Sequence, residues 1–205
     1  MKISVKDIPV YYLNPDFYRI RKELMEDFLD SINLKHERIP SNSTAELRQV
    51  RINEGFIKLA KRAIENAKYP FLVLEDDARL VTDLPESITI PDEAKLIYWG
   101  ISLWECGGIK PNLYISEYND EYYRMYHSLG CHAILVPNKE SAEHFIKINQ
   151  KAIEMNDYSD IYFAVDSKDE IYLTPKKGPF FYQNDAHTQP ITNFSWENVL
   201  SKYLK

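Results

Sequence analysis

The sequence predicts an α/β domain with a mostly parallel, mixed central sheet flanked by helices. Three observations lead there. Strand-like and helix-like patterns alternate through the first half, as right-handed βαβ crossovers require. The run Phe71-Leu72-Val73-Leu74 is apolar on both faces and too short for a helix, which marks a central strand covered on two sides. The second half then changes to short strands with short links, broken by one longer helix.

Taken in order, residues 8–13 (IPVYYL) are β-branched and aromatic and read as the first strand. Asn14-Pro15 follows, with Asn as N-cap and Pro at the first helical position. The helix after it carries Ile20, Leu24, Phe28 and Ile32 at intervals of four. A second strand is expected over Lys35–Ile39, stopped by Pro40, and the polar loop Ser41–Thr44 caps the next helix. That helix runs from Ala45 to Ala67 with a buried stripe of Leu47, Val50, Ile57, Ala60, Ile64 and Ala67. Its stripe is broken at Asn53-Glu54, a polar pair that needs hydrogen-bond partners if buried. Later strands are LIYWGIS (96–102), LYISEY (113–118), EYYRMYH (121–127) and HAILVP (132–137), with Asn119-Asp120 as a hairpin turn. A helix from Lys139 to Met155 turns Ala142, Phe145, Ile146, Asn149 and Ile153 inward. A short helix opens near Ser159, EIYLT and PFFYQ are late strands, and Ser195–Leu204 closes the chain as a helix. No repeat or linker divides the sequence, so residues 1–205 are expected to form one domain.

Composition excludes several classes. The 205 residues are 44% hydrophobic, which rules out disorder, and no apolar run approaches the ~20 residues of a membrane span. The start lacks a signal-peptide pattern, and a cytoplasmic protein is expected. Cys106 and Cys131 make neither a disulfide framework nor a zinc motif. Net charge is −6, but residues 1–68 hold 13 basic and 10 acidic side chains, against 12 and 21 in the remainder. The uneven balance suits a site that holds a phosphate and a cation together, and an uneven solvated surface explains it equally well.

The feature richest in chemistry is Glu75-Asp76-Asp77 at the carboxyl end of the buried strand, where open α/β sheets bind ligands. Three successive carboxylates raise one another's pKa unless a cation or donors offset the charge. All-oxygen ligands favour Mg²⁺ or Mn²⁺ over zinc; a solvated acidic turn is the plainer reading. Lys176-Lys177 has the charge to neutralise a diphosphate, against two exposed lysines in a turn. Arg19, Arg48 and Arg51 are further cations. Tyr98, Trp99 and Trp104 flank a Gly107-Gly108 loop and suit either sugar stacking or the core.

FLVLEDDARL, preceded by a helix and by a first strand ending YYLNPDFYR, resembles the glycosyltransferases of family 25, the GT-A-fold enzymes of lipopolysaccharide and collagen glycosylation. The stretch Leu13-Asn14-Pro15-Asp16-Phe17-Tyr18-Arg19 loosely matches the turn after that family's first strand and keeps its arginine. The resemblance implies that Glu75 takes the first acidic position, that Asp76 lies toward the donor ribose, and that Asp77 holds the metal. It also implies that Gly130 in Ser128-Leu129-Gly130 is the fold's glycine loop beside the donor sugar, against a plain hairpin glycine. Asp160 in Tyr158-Ser159-Asp160 takes the position of the catalytic carboxylate, against a helix N-cap. His187 closes the metal site, with Asp185 competing for that role. The sequence departs from the family where a Ser-His pair is usual; Asn53-Glu54 stands there.

The resemblance implies an inverting transfer from a UDP-sugar to an acceptor hydroxyl of a glycan or lipopolysaccharide. Mn²⁺ (or Mg²⁺) on Asp77 and His187 would stabilise the departing diphosphate, and Asp160, with Asp166 and Asp185 behind it, would be the base. Leu13, Asn14, Arg19, Asn53, Glu75, Asp76, Gly130, Lys176 and Lys177 are expected around the donor. One rival is a phage-type transferase acting on hydroxymethylated DNA bases, disfavoured by the acidic balance. Another, of a different class, is a metal-dependent nuclease or phosphoesterase using Glu75, Asp76, Asp77 and Asp166. A silent nucleotide-sugar binder is the third.

Overall fold

The computed structural model describes residues 1–101, 114–127 and 129–183. Its elements are β1 (Lys2–Ser4), β2 (Val10–Asn14), α1 (Arg19–Ser31), β3 (His36–Pro40), α2 (Arg48–Glu65), β4 (Phe71–Glu75), β5 (Ala78–Leu80), β6 (Ser87–Thr89) and β7 (Leu96–Tyr98). There follow β8 (Tyr114–Glu117), β9 (Tyr122–Tyr126), β10 (Ala133–Val136), α3 (Lys139–Glu154), α4 (Ser159–Asp166), β11 (Tyr172–Pro175) and β12 (Phe181–Gln183). The expected terminal helix, and Trp104, Cys106, Gly107 and Gly108, lie outside the described residues.

The central sheet has eight strands in the order β3-β2-β4-β10-β7-β11-β9-β8. Six of them point one way; β10 and β9 run against the rest. Two small antiparallel pairs, β1–β6 and β12–β5, stand beside it. Alternation divides the core into two layers. Tyr11, Leu13, Phe71, Val73, Tyr98 and Ile134 face Phe56, Leu59 and Ala60 of α2 and Phe145 and Ile148 of α3. Val10, Tyr12, Leu72, Leu74, Ala133 and Leu135 face Met25 and Leu29 of α1 together with Phe180 and Phe181. β4 is buried from Phe71 through Leu74, as its uniformly apolar sequence requires.

Several expectations are corrected. Asn14 is not an N-cap: it is the last residue of β2, and α1 starts four residues later with Tyr18 as N-cap. The reason is that the Asn14 side chain is fully engaged inside the molecule, as described below. The inward face of α1 is carried by Met25 and Leu29, whereas Ile20 and Leu24 are exposed. The buried stripe runs through Met25 and Leu29, one position round from the expected face, with Phe28 and Ile32 packed at its edge. In α2 the buried stripe is Val50, Asn53, Phe56, Leu59, Ala60 and Ala63, while Leu47 and Ala67 are exposed at the ends. The Ser41–Thr44 loop provides no side-chain cap for α2. In α3, Ile148 and Ala152 are buried where Ile146 and Ile153 are only half-buried. Asn138 caps that helix, accepting from the Ser141 amide at 2.9 Å. Asn119 shapes the β8–β9 hairpin by accepting from the Glu121 and Tyr122 amides, each at 2.9 Å.

Tyr98 and Trp99 belong to the core. Trp99 is fully buried, with Phe181 stacked on it at 6.4 Å between centroids and Phe180 edge-on at 5.2 Å. Gly100 follows, and a Cβ there would stand 2.2 Å from Nε2 of the buried His132 ring and 3.1 Å from the Ala133 Cβ. Burial pulls the His132 pKa down to about 4, so the ring is neutral at pH 7. Gly100→Ala is therefore expected to cost about 1–3 kcal/mol as overpacking. Urea denaturation would show it as a lower midpoint with an unchanged slope, and an unchanged midpoint would contradict this packing.

Candidate functional site

The parallel register of β2 and β4 sets Leu13 beside Glu75, so that Asn14 and the acidic run leave the sheet together at its carboxyl end. From there one chain of hydrogen bonds crosses the ends of β3, β2 and β4. Arg38 on β3 donates to Asp16 and, through Nε, to Asn14 Oδ1 at 2.9 Å. Asn14 Nδ2 donates to Asp76 Oδ2 at 2.6 Å and to the carbonyl of the α1 N-cap, Tyr18, at 3.2 Å. Arg21 Nη1, in the first turn of α1, donates to Asp76 Oδ1 at 3.1 Å and to Asp77 Oδ2 at 3.4 Å. Gln183 Nε2, at the end of β12, touches Asp77 Oδ2 at 3.4 Å and Glu75 Oε2 at 3.2 Å.

Asp76 and Asp77 are 6% and 8% exposed, so their charges need these partners. Arg79 supports the turn from behind, with Nη1 donating to the carbonyls of Asp76 at 3.2 Å and Ala78 at 2.7 Å. Burial lowers the Arg79 pKa from its ordinary value, although Asp77 and Asp76 pull it back up. Glu75 fares worst. Burial pushes its carboxyl well above the ordinary range, and Asp77, Asp76 and Asp160 push the same way, with Arg48 opposing.

Asp160 approaches from the other side of β4. It sits in the first turn of α4, accepts from the Ile161 amide at 2.9 Å, and is not the helix N-cap, which is Tyr158. Burial raises its pKa, while hydrogen bonds from the Ile161 and Gly130 amides lower it. Gly130 has φ 94°, the left-handed region that favours glycine, and this conformation accompanies the hydrogen bond from its amide to Asp160. Cys131 lies between them, buried and within the field of Asp160 and Glu75.

The structure thus brings together Asn14, Glu75, Asp76, Asp77, Gly130 and Asp160. Leu13 stands below them in the core, against Gly55 of α2, whose absent Cβ would meet Leu13 Cδ1 at 2.7 Å. Asn53 is buried and joins α2 to the turn before α4 by donating to the Asp157 carbonyl at 2.8 Å. Arg19 is exposed; Arg21, two residues on, is the arginine that meets the acids. Sequence alone does not separate them because both lie in the first turn of α1, and only the contacts show which one meets the acids. Lys176 is not brought to the acids. It pairs with Glu117 and covers the Tyr123 ring at 4.9 Å, on the β9 side of β11, and Lys177 is exposed beside it. Arg51 donates to the Ala45 and Glu46 carbonyls, each at 2.8 Å. Asp166 accepts from Tyr172 and bonds His144, each at 2.8 Å, at the far end of α4 from Asp160, about 9 Å along the axis. The four acids of the nuclease reading are therefore not assembled. Asp185, His187 and Ser128 lie outside the described residues.

The donor set is carboxylate oxygen, and one Gln183 nitrogen touches both Glu75 and Asp77, so these two oxygens converge. Among the described residues no group of three or more His, Cys, Asp or Glu is placed to hold a metal. Two converging carboxylates fit Mg²⁺ or Mn²⁺, which complete their shells with water and substrate phosphate.

Comparison of the fold decides its class. The structure matches a glycosyltransferase involved in the glycosylation of the major capsid of PBCV-1, with TM-score 0.55 and 10% identity over 89% of this chain and 94% of that one. The fold is GT-A-like. A mutant of Drosophila β-1,4-galactosyltransferase 7 in complex with manganese, UDP-Gal and xylobiose is a more distant match, with TM-score 0.39 and 13% identity over 96% and 80%. By sequence, no family model and no curated protein matches the chain. Among the described residues no helix is long and apolar enough to cross a membrane.

The acidic end of β4 carries a pH signature in the metal-free protein. The folded-state pKa of Glu75 is raised above 4.5, so ionising it costs stability as pH rises through and beyond that value. Glu75→Gln is expected to raise the melting temperature at pH 7, with the gain gone near pH 4, where the native carboxyl is already protonated. A gain of equal size at both pH values would place Glu75 outside this field.

Proposed function

We propose that the chain is a glycosyltransferase of family 25 type, moving a sugar from a UDP-sugar to an acceptor hydroxyl with inversion, and working as one domain in the cytoplasm. The observation that carries this is the charged hydrogen-bond chain from Arg38 through Asn14, Asp76 and Arg21 to Asp77, set at the strand ends of a GT-A-like fold. Asn14 and Asp76 form the floor on which the nucleoside end of the donor rests, and Arg38 holds that floor rigid through two bonds to Asn14. Asp77, with Glu75 beside it and His187 as a further ligand, would hold Mn²⁺ or Mg²⁺. When bound, that ion supplies Lewis-acid neutralisation of the diphosphate leaving group.

Asp160 is the base in this reading. Its desolvated carboxyl has a raised pKa, which makes the carboxylate the better proton acceptor once ionised. As the acceptor oxygen bonds to the anomeric carbon, Asp160 takes the hydroxyl proton. The bond from that carbon to the phosphate oxygen breaks, and UDP leaves with the electron pair. Gly130, donating its amide to Asp160, keeps the carboxylate aimed and leaves room for the sugar. A glycan acceptor is favoured over a DNA base because residues 69–205 carry 21 acidic against 12 basic side chains.

UDP release from a panel of UDP-sugars, with and without Mn²⁺, tests the reading. Asp160→Asn is expected to lower kcat by about 10²–10⁴ while UDP binding persists. Asp77→Asn should abolish the metal dependence. A folded protein that releases nucleotide from none of these donors would overturn the assignment.

A further inference from the structure

Arg21 already supplies Asp76 and Asp77 with a positive charge. Its Nη1 bonds a buried carboxylate on each side, Asp76 at 3.1 Å and Asp77 at 3.4 Å, while its own side chain is 33% exposed. The side chains of Asp76 and Asp77 are only 8% and 9% exposed, so Arg21 is the more accessible member of the trio. The second oxygen of Asp76 is taken by Asn14 at 2.6 Å, and Asp77 Oδ2 is shared with Gln183 at 3.4 Å. A metal reaching Asp77 from solvent must displace Arg21 or sit against its positive charge. The residue is also placed to leave. Its described hydrogen bonds to the acids come from Nη1 alone, and the guanidinium lies over the exposed Tyr18 ring, 5.0 Å from its centroid. Planar and forked, it matches phosphate oxygens better than it matches two separate carboxylates.

We propose that Arg21 is a resident counter-cation that keeps Asp76 and Asp77 from taking a divalent metal until a diphosphate arrives to claim its guanidinium, so that metal and nucleotide bind as a coupled pair. The diphosphate half of this rests on the nucleotide-sugar reading; the counter-cation half does not. Coupling of this kind is reciprocal, so UDP and Mn²⁺ each raise the other's affinity by the same factor. It also compensates Asp76 and Asp77 in the resting protein, where the two carboxylates would otherwise repel each other.

The test is Mn²⁺ binding, followed by the electron paramagnetic resonance of the free ion, for the wild type, Arg21→Gln and Arg21→Lys, each with and without UDP or inorganic pyrophosphate. Circular dichroism and melting establish that each variant is folded. The wild type should bind Mn²⁺ weakly alone and at least tenfold more tightly with UDP. Arg21→Gln should bind Mn²⁺ alone at least tenfold more tightly than the wild type and gain less from UDP. Arg21→Lys, which keeps the charge, should stay weak for Mn²⁺ alone. Arg21→Gln binding Mn²⁺ no more tightly than the wild type overturns the proposal, even if UDP-sugar turnover is normal. If Arg21→Gln binds Mn²⁺ more tightly but neither UDP nor pyrophosphate affects the wild type, the counter-cation stands and the diphosphate half falls. The wild type also decides without any variant, since independent binding of Mn²⁺ and UDP removes the coupling.

Discussion

The arrangement depends on how three consecutive carboxylates are tolerated at the end of a buried strand. β4 must be apolar on both faces to hold the two layers of the core together, and the same strand then delivers Glu75, Asp76 and Asp77 to its rim. Asn14 makes this possible from the neighbouring strand. It is fully buried, yet its amide reaches Asp76 and the α1 N-cap carbonyl while its own carbonyl oxygen accepts from Arg38. One side chain thus ties β2, β3, β4 and α1 into a single frame. Replacing it with an apolar residue would leave donors and acceptors on three elements without partners, each costing about 1–3 kcal/mol.

The larger pattern was legible because it rests on periodicity. The mixed sheet flanked by helices, the buried β4 and the β8–β9 hairpin at Asn119 agree with expectations drawn from spacing, while the short strands β1, β5 and β6 were not foreseen. What was not legible depended on where a helix begins. Asn14-Pro15 reads as a cap and starts α1 four residues early, the spacing of Ile20 and Leu24 reads as the inner face, and the family resemblance points to Arg19. With the start at Arg19, the inward residues are Met25 and Leu29 and the inward cation is Arg21. A cap motif and a buried network ask for the same residue type, since asparagine serves both, and only the partners distinguish them.

Trp99 and Lys176 show the same ambiguity. An aromatic residue beside a glycine suits a sugar platform or a core, and the stacked Phe181 and edge-on Phe180 place Trp99 in the core. A lysine pair before a late strand suits a diphosphate or a hairpin, and the pairing of β11 with β9 brings Lys176 to Glu117. Neither pairing is local in sequence, so no window of residues contains the information that decides it.

The way charge is balanced at the acidic end separates a site from a merely structural network. Asp76 is satisfied at both oxygens, by Asn14 and Arg21, and could serve stability alone. Glu75 is different. Its described side-chain hydrogen bond comes from the neutral Gln183 amide, and its pKa remains raised, with Arg48 the arginine that opposes the shift. Desolvation and the neighbouring acids make its ionised form costly in the folded protein. Glu75 and Asp77 share a single donor, Gln183 Nε2. That imbalance lies at the carboxyl end of β4, the edge at which open α/β sheets take their ligands.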